Sequence, residues 1–230
     1  MGFKTTILLA GAFALSAFSA PVPECSNNTT EPETVTEVLS AKNLIAIAPA
    51  TASCTGADFP QECADASQAA TAINKSFKTY GITSTGEQAA LVAYMLFESG
   101  NFKYSKNHFP GRPGQGTRMM AMPPFVKLYA TSAVGAEAVT AAEAAGGDAA
   151  LNAVLALVNS DDEKSFGSAA WFLSSQCTAE VRAGLAAETV DGWHNFLTEC
   201  VGTTAATERD EPWVAAKQIM LGDRVTRRRL

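Results

Sequence analysis

The sequence is poor in the features that announce most intracellular enzymes. It holds only two histidines, His108 and His194, far apart in the chain, and its five cysteines are widely spaced, so no metal cluster can be read from it. There is no glycine-rich phosphate loop, no Gly-x-Ser-x-Gly elbow and no repeat of fixed period. Sustained period-two alternation with hairpin turns is missing as well, which leaves an all-α reading. Basic charge is scarce: 17 Lys and Arg against 23 Asp and Glu give a net charge of −6. That balance argues against nucleic acid as a partner and supplies no general attraction to anionic membranes. No long apolar run follows the first twenty residues, so no membrane anchor is expected.

What is present begins with an export signal. Residues 1–20 carry one basic residue, Lys4, an apolar run from Ile7 to Phe18, and the small residues Ala17 and Ser19 that suit cleavage after Ser19, with cleavage after Ala20 as the alternative. The protein is therefore expected to be secreted, and losing Lys4 moves the net charge from −6 to about −7. Residues 21–33 read as a flexible leader, 34–222 as one globular helical domain, and 223–230 as a basic tail. Sequons place candidate glycosylation sites at Asn27, Asn28 and Asn74.

Five cysteines fit an oxidising compartment. Cys54 and Cys63 bracket a Gly/Pro loop, and Cys177 and Cys200 bracket a helix and turn, so those two disulfides are expected; Cys25 is then left over in the leader, as a free thiol, an intermolecular link or the sign of a different pairing. Apolar periodicity and cap residues predict helices over Thr36–Ile47, Gln61–Tyr80, Thr85–Glu98, from Pro124, over Val134–Ala145, Ala149–Val158, from Ser160 to near Cys177, over Thr178–Ala187, Val190–Val201 and Trp213–Leu221. The acidic cluster Asp161, Asp162 and Glu163 reads first as a dipole-stabilising helix start and second as a source of another carboxylate.

One stretch, Leu91 to Tyr129, combines an apolar helix ending on Glu98, a Gly/Pro-rich basic loop and a methionine-rich turn. Leu91, Met95 and Glu98 share one stripe, so the carboxyl projects from the apolar face in the last turn, where the helix dipole disfavours negative charge. A raised pKa is expected, as a general acid needs. The alternative is a carboxylate paired with Lys103, Arg112 or Arg118. The loop from Asn107 to Arg118 carries His108, Arg112, Gln115, Thr117 and Arg118 on a backbone with little bulk, expected to lie across the surface, where a polar or carboxylate-bearing ligand can approach.

Glu98-Ser99-Gly100-Asn101-Phe102 followed by Met119-Met120-Ala121-Met122-Pro123 resembles the signature of soluble lytic transglycosylases and goose-type lysozymes, within the lysozyme-like superfamily. The family glutamine falls on Met120 here and its glycine on Thr117. The segment FPGRPGQGTR is also similar to one in secreted fungal proteins, a likeness that brings no activity with it.

The lysozyme-like resemblance implies a disulfide-stabilised helical fold and a secreted enzyme cleaving peptidoglycan or a related amino-sugar polymer. Glu98 would protonate the leaving oxygen, Ser99 and Met119 would line the cleft, and the loop donors Gln115, Thr117 and Arg118 would hold the sugar. Asp161, Asp162 and Asp191 are weak candidates for a second acid, and a one-glutamate route assisted by the substrate's N-acetyl group is what the resemblance implies. The competing expectation is a non-catalytic secreted module that binds a cell-wall glycan or a host protein. No cofactor and no metal are expected, and the chain is expected to be a monomer.

Overall fold

In the computed structural model, Gly2 and residues 38–227 are described, with side chains described as far as residue 222. The chain divides into residues 1–35 and residues 36–230, and the helices all belong to the second unit. The expected export signal, the leader, Cys25 and the sequons at Asn27 and Asn28 lie outside the described residues.

Among the described residues ten α-helices make the fold and no strand occurs. They are α1 (Ala41–Ile47), α2 (Ala66–Thr79), α3 (Thr85–Glu98), α4 (Pro123–Val134), α5 (Ala136–Glu143), α6 (Gly147–Val158), α7 (Asp162–Gln176), α8 (Ala179–Ala186), α9 (Val190–Asn195) and α10 (Thr207–Arg227). Six residues of π-helix, Phe196–Val201, extend α9. Side-chain oxygens start many of the helices by accepting otherwise unpaired N–H groups. Asp65 accepts from Ser67 and Gln68, Ser84 from Glu87, Asp161 from Lys164 and Thr178 from Val181. Asp161 is thus a helix cap, the first reading of the acidic cluster.

Three helices differ clearly from expectation. α1 starts at Ala41 rather than Thr36, where Ser40 and Asn43 form a capping box. α2 starts at Ala66 rather than Gln61, because the Cys54–Cys63 loop runs on to Ala64 and Asp65 forms the capping box. α10 begins at Thr207 and continues past Leu221 to Arg227, with Pro212 inside it. Pro212 removes one N–H bond to the second residue of the helix, the exposed Glu208, whose carbonyl can turn to water.

α3 sits at the centre. Every residue from Gly86 to Leu96 is buried, so over those three turns the helix has no solvent face, and it is packed by α10, α8 and α7. A Cβ on Gly86 would lie 2.2 Å from the Leu185 carbonyl oxygen, so α8 crosses at a distance that only glycine permits. α7 is buried from Ser165 to Leu173 and packs on α2, while α4, α5 and α6 pack on one another beside it. Among the described residues no helix is long and apolar enough to cross a membrane.

The disulfides are Cys54–Cys63 and Cys177–Cys200, as the bracketed loops imply. They close loops of sequence separation 9 and 23, and restricting the unfolded chain by those amounts stabilises the fold by about 3 kcal/mol each, more for the longer loop. Replacing Cys177 and Cys200 together by alanine is expected to lower the unfolding free energy by about 3 kcal/mol. The same replacement of Cys54 and Cys63 is expected to cost somewhat less, both read from denaturant titrations.

Candidate functional site

α3 is capped at its C-terminal end by Ser99, and the three residues after the cap, Gly100, Asn101 and Phe102, all have positive φ. A phenylalanine there is costly by about 1–3 kcal/mol. Complete burial of the Phe102 ring, edge-on to Phe166 at 5.1 Å between centroids, offsets that cost. The Ser99 hydroxyl donates to the Met95 carbonyl and accepts from the Phe102 N–H, so it locks the turn and is itself sealed from solvent.

Glu98 is half-buried, with its side chain 17% exposed, and it is paired with Arg209 of α10. None of Lys103, Arg112 and Arg118 takes the carboxylate, so the expected pairing alternatives are corrected. Lys103 is tied to the Ser53 carbonyl, Arg118 to the carbonyls of Phe102 and Tyr104, and Arg112 stands exposed, whereas α10 brings Arg209 against the end of α3. Arg209 also donates to the Thr203 hydroxyl at 3.2 Å and lies 4.3 Å over the Phe97 ring. Burial pushes the Glu98 carboxyl above its ordinary value, and the bond and charge of Arg209 oppose the rise without cancelling it. Tyr94, wholly buried on the same helix, is pushed well up by burial and by the Glu98 charge, and its hydroxyl donates to the Met119 carbonyl at 3.4 Å.

The rest of the expected substrate-binding set is largely interior. Ser99 is 0%, Thr117 1%, Arg118 2% and Met119 4% exposed, so these four offer no surface to a ligand and their expected contacts are corrected. The Thr117 hydroxyl donates to the Ser165 carbonyl at 2.6 Å. Arg118 bonds the carbonyls of Phe102 and Tyr104 at 2.9 and 3.2 Å, stacks 4.5 Å over Phe166 and lies 3.8 Å from Asp162. Burial pulls its guanidinium down to about 10, with the Asp162 and Glu62 charges opposing. Only Phe109, Pro110, Gly111 and Arg112 form the exposed crest expected of the whole loop, because hydrogen bonds draw its second half inward.

Of the expected ligand contacts, Gln115 does border a cavity. This cavity, of about 540 Å³, opens between the loop and α6. Its walls include Glu62, Lys106, Arg112, Gln115, Asn152 and Asn159. Its size falls within the range of about 300–1,000 Å³ common for small-ligand sites. Glu62, 8% exposed, organises its floor. One carboxylate oxygen accepts the N–H groups of Ser105 and Lys106 at 2.9 and 3.3 Å, and the other bonds His108 at 2.9 Å and faces the Lys106 ammonium at 3.6 Å. His108 is stacked on Phe59 at 3.5 Å, beside Tyr104 and the exposed Phe109.

Asn107 holds the crest by accepting from Gly111 and Arg112 and donating to Gln115 at 2.8 Å, while Gln115 donates to the Met120 carbonyl. On the far wall, Asn152 accepts from Gly114 N–H and Asn159 donates to the Ser105 carbonyl, each at 3.0 Å. A Cβ on Gly116 would lie 2.2 Å from the Ser105 carbonyl oxygen, so the two arms of the loop meet only because that residue has none.

A second hollow of about 290 Å³ between α4, α5 and α6 is apolar, lined by Pro123, Pro124, Leu151 and Val154 with the Lys127–Glu143 pair at 2.6 Å. A third, of about 630 Å³, lies against Tyr80, Tyr129, Asp161 and Glu163. Glu98 lies in the wall of none of these hollows. Among the described residues no group of three or more His, Cys, Asp or Glu is placed to hold a metal ion.

Asp191 stands in the first turn of α9 and Asp162 at the start of α7. The Asn74 amide is spent on Leu39, donating to its carbonyl at 2.6 Å and accepting its N–H at 3.1 Å from within α2, so the folded chain offers no free amide at that sequon.

Glu62, Asn152 and Asn159 did not stand out in the sequence. The asparagines carried a usable signal: they are the polar positions of an otherwise apolar helix and its cap, seven residues apart and so on one face. Glu62 carried none, since an acid beside a cysteine is unremarkable until the loop folds over it.

Two outcomes are expected. A carboxyl whose pKa is raised on folding stabilises the fold fully below its unfolded value and loses that contribution as pH rises through the folded value. Wild type should therefore lose stability relative to Glu98→Gln as pH rises from about 4.5 toward neutrality, a trend that thermal melts at successive pH values would read. Glu62→Ala should speed amide hydrogen exchange across residues 105–112 while α3 stays protected.

In comparisons with known proteins, the chain is 42% identical over 143 residues to a bifunctional dioxygenase (DOX)-epoxy alcohol synthase (EAS) from Fusarium oxysporum (strain Fo5176). The match covers 60% of this chain and 11% of that protein, so the chain spans about a tenth of the curated relative it matches. No family model matches the chain, and no solved structure matches it.

Proposed function

We propose that this protein is a non-catalytic, secreted binding module that takes a glycan into the cavity between the Ser105–Gln115 loop and α6. The observation that carries the reading is the built floor of that cavity: a buried carboxylate, Glu62, and the Asn107–Gln115 pair hold the loop in one shape. Amide groups and cations then face the opening without having to be ordered by the ligand. The aromatic groups of Phe59, Tyr104, His108 and Phe109 cluster beside the loop and give it an apolar shelf. Two disulfides suit an exported chain. The likeness to 11% of a much longer protein named for two enzyme activities suits a module that can stand beside catalytic parts.

A glycan-cleaving reading, with Glu98 as general acid, draws on the raised Glu98 carboxyl. It requires Arg209 to release that group and a sugar strand to reach it. Hydrolysis by two carboxylates would also need a partner acid about 5–9.5 Å away.

Sedimentation with insoluble chitin and peptidoglycan, and release of soluble fragments from them, separates the two. The module reading expects wild type and Glu98→Gln to sediment equally with one of the polymers and to release nothing. Ala156→Trp, which fills the cavity from an exposed wall position, should cut binding about tenfold or more. Release by wild type and not by Glu98→Gln would overturn the module reading in favour of the enzyme.

A further inference from the structure

The charges and open hydrogen-bonding positions of the same cavity narrow its ligand further, an inference that rests on the module reading above. Three ionisable side chains line it: Glu62, Lys106 and Arg112. Glu62 is spent on the floor, where it accepts two backbone N–H groups, bonds His108 and neutralises Lys106. Arg112 remains. It is exposed at the mouth, its backbone N–H is fixed by Asn107, and no carboxylate among the described residues pairs with its guanidinium. The cavity therefore carries one positive charge in excess.

The amides of α6 complete the pattern. Asn152 uses its oxygen on Gly114 N–H and keeps its amide N–H groups for the opening. Asn159 is spent on the wall, its amide nitrogen donating to the Ser105 carbonyl.

We propose that the ligand is an acidic glycan whose sugars carry carboxylates, a uronic acid oligomer. Arg112 takes the carboxylate through its planar fork, and Asn152 donates to a ring or hydroxyl oxygen. The preference for a planar carboxylate comes from the guanidinium geometry, which matches two coplanar oxygens with two parallel N–H bonds.

The test is calorimetric titration of the full exported protein with tetragalacturonic acid and with its methyl ester, which has nearly the same shape and no charge. A glucuronic acid oligomer with its ester and a sulfated neutral galactan serve as further arms. The acid of one uronate pair is expected to bind about tenfold or more tighter than its ester, with an affinity that falls as salt is raised. Arg112→Gln should abolish that difference, and Ala156→Trp should remove binding of both.

Equal affinity for acid and ester, or a preference that survives Arg112→Gln, would overturn the acidic-ligand inference while leaving the module reading in place. Tighter binding of the sulfated galactan would overturn the carboxylate assignment in the same way. Binding of no acid and no ester by wild type, together with no sedimentation on chitin or peptidoglycan, would sink the module reading and this inference with it.

Discussion

A helix buried on every side must have its polar groups answered by its neighbours, and α3 imposes that demand on the rest of the fold. Its acids stand at opposite ends. Glu87, in the first turn, is met by Arg182 of α8 at 2.7 Å, and Glu98, in the last, by Arg209 of α10. Removing either cation would leave a carboxylate in a setting where an unpaired charge is expensive, so the positions of α8 and α10 follow from electrostatics as well as from apolar packing. Gly86 belongs to the same arrangement, because α8 can approach closely enough only where α3 carries no Cβ. At the C-terminal end, the helix dipole and burial both act against the Glu98 charge, and Arg209 recovers only part of what they cost.

The second centre of organisation is Glu62, which does for a loop what α3 does for the helices. A Gly/Pro-rich segment has little side-chain mass with which to hold itself. The Glu62 carboxylate replaces that mass with two backbone hydrogen bonds and a histidine contact, anchored in turn by the Cys54–Cys63 loop. The basic residues of the segment then part company. Arg118 turns inward to tie the Phe102 and Tyr104 carbonyls, Lys103 reaches the Ser53 carbonyl, and Arg112 stays out. A stretch that looks uniformly cationic in sequence thus becomes one structural cation, one tether, one lysine, Lys106, paired with Glu62, and one free guanidinium, and only the last is left unpaired for a ligand.

The outcome for Glu98 shows how far periodicity carries an argument. Its place on an apolar stripe at a helix terminus implied half-burial and an upward-shifted carboxyl, and the structure has both. Its partner was out of reach of that reasoning, because Arg209 lies 111 residues away in the chain and no local spacing joins the two. Ser99, Thr117, Arg118 and Met119 fail as ligand contacts for a related cause. A hydroxyl or guanidinium in a polar segment looks solvated until a neighbouring helix, here α7 with Ser165 and Phe166, closes over it. Asn152 and Asn159 run the other way: residues of an apolar helix and its cap that the fold leaves facing a polar opening.

By itself the amino-acid sequence determined the all-α class and most helix limits through their caps, because each depends on residues close together in the chain; it pointed to both disulfides through the loops they bracket, while five cysteines left other pairings open. Hydrogen-bond capping acts over three residues and apolar periodicity over a few turns, while the cysteine pairs close short loops. Only the tertiary structure decided which cation meets Glu98, which half of the Asn107–Arg118 loop sees solvent, and where a cavity opens. Those outcomes rest on burial and charge pairing between segments far apart in the chain, and such forces have no counterpart in local spacing.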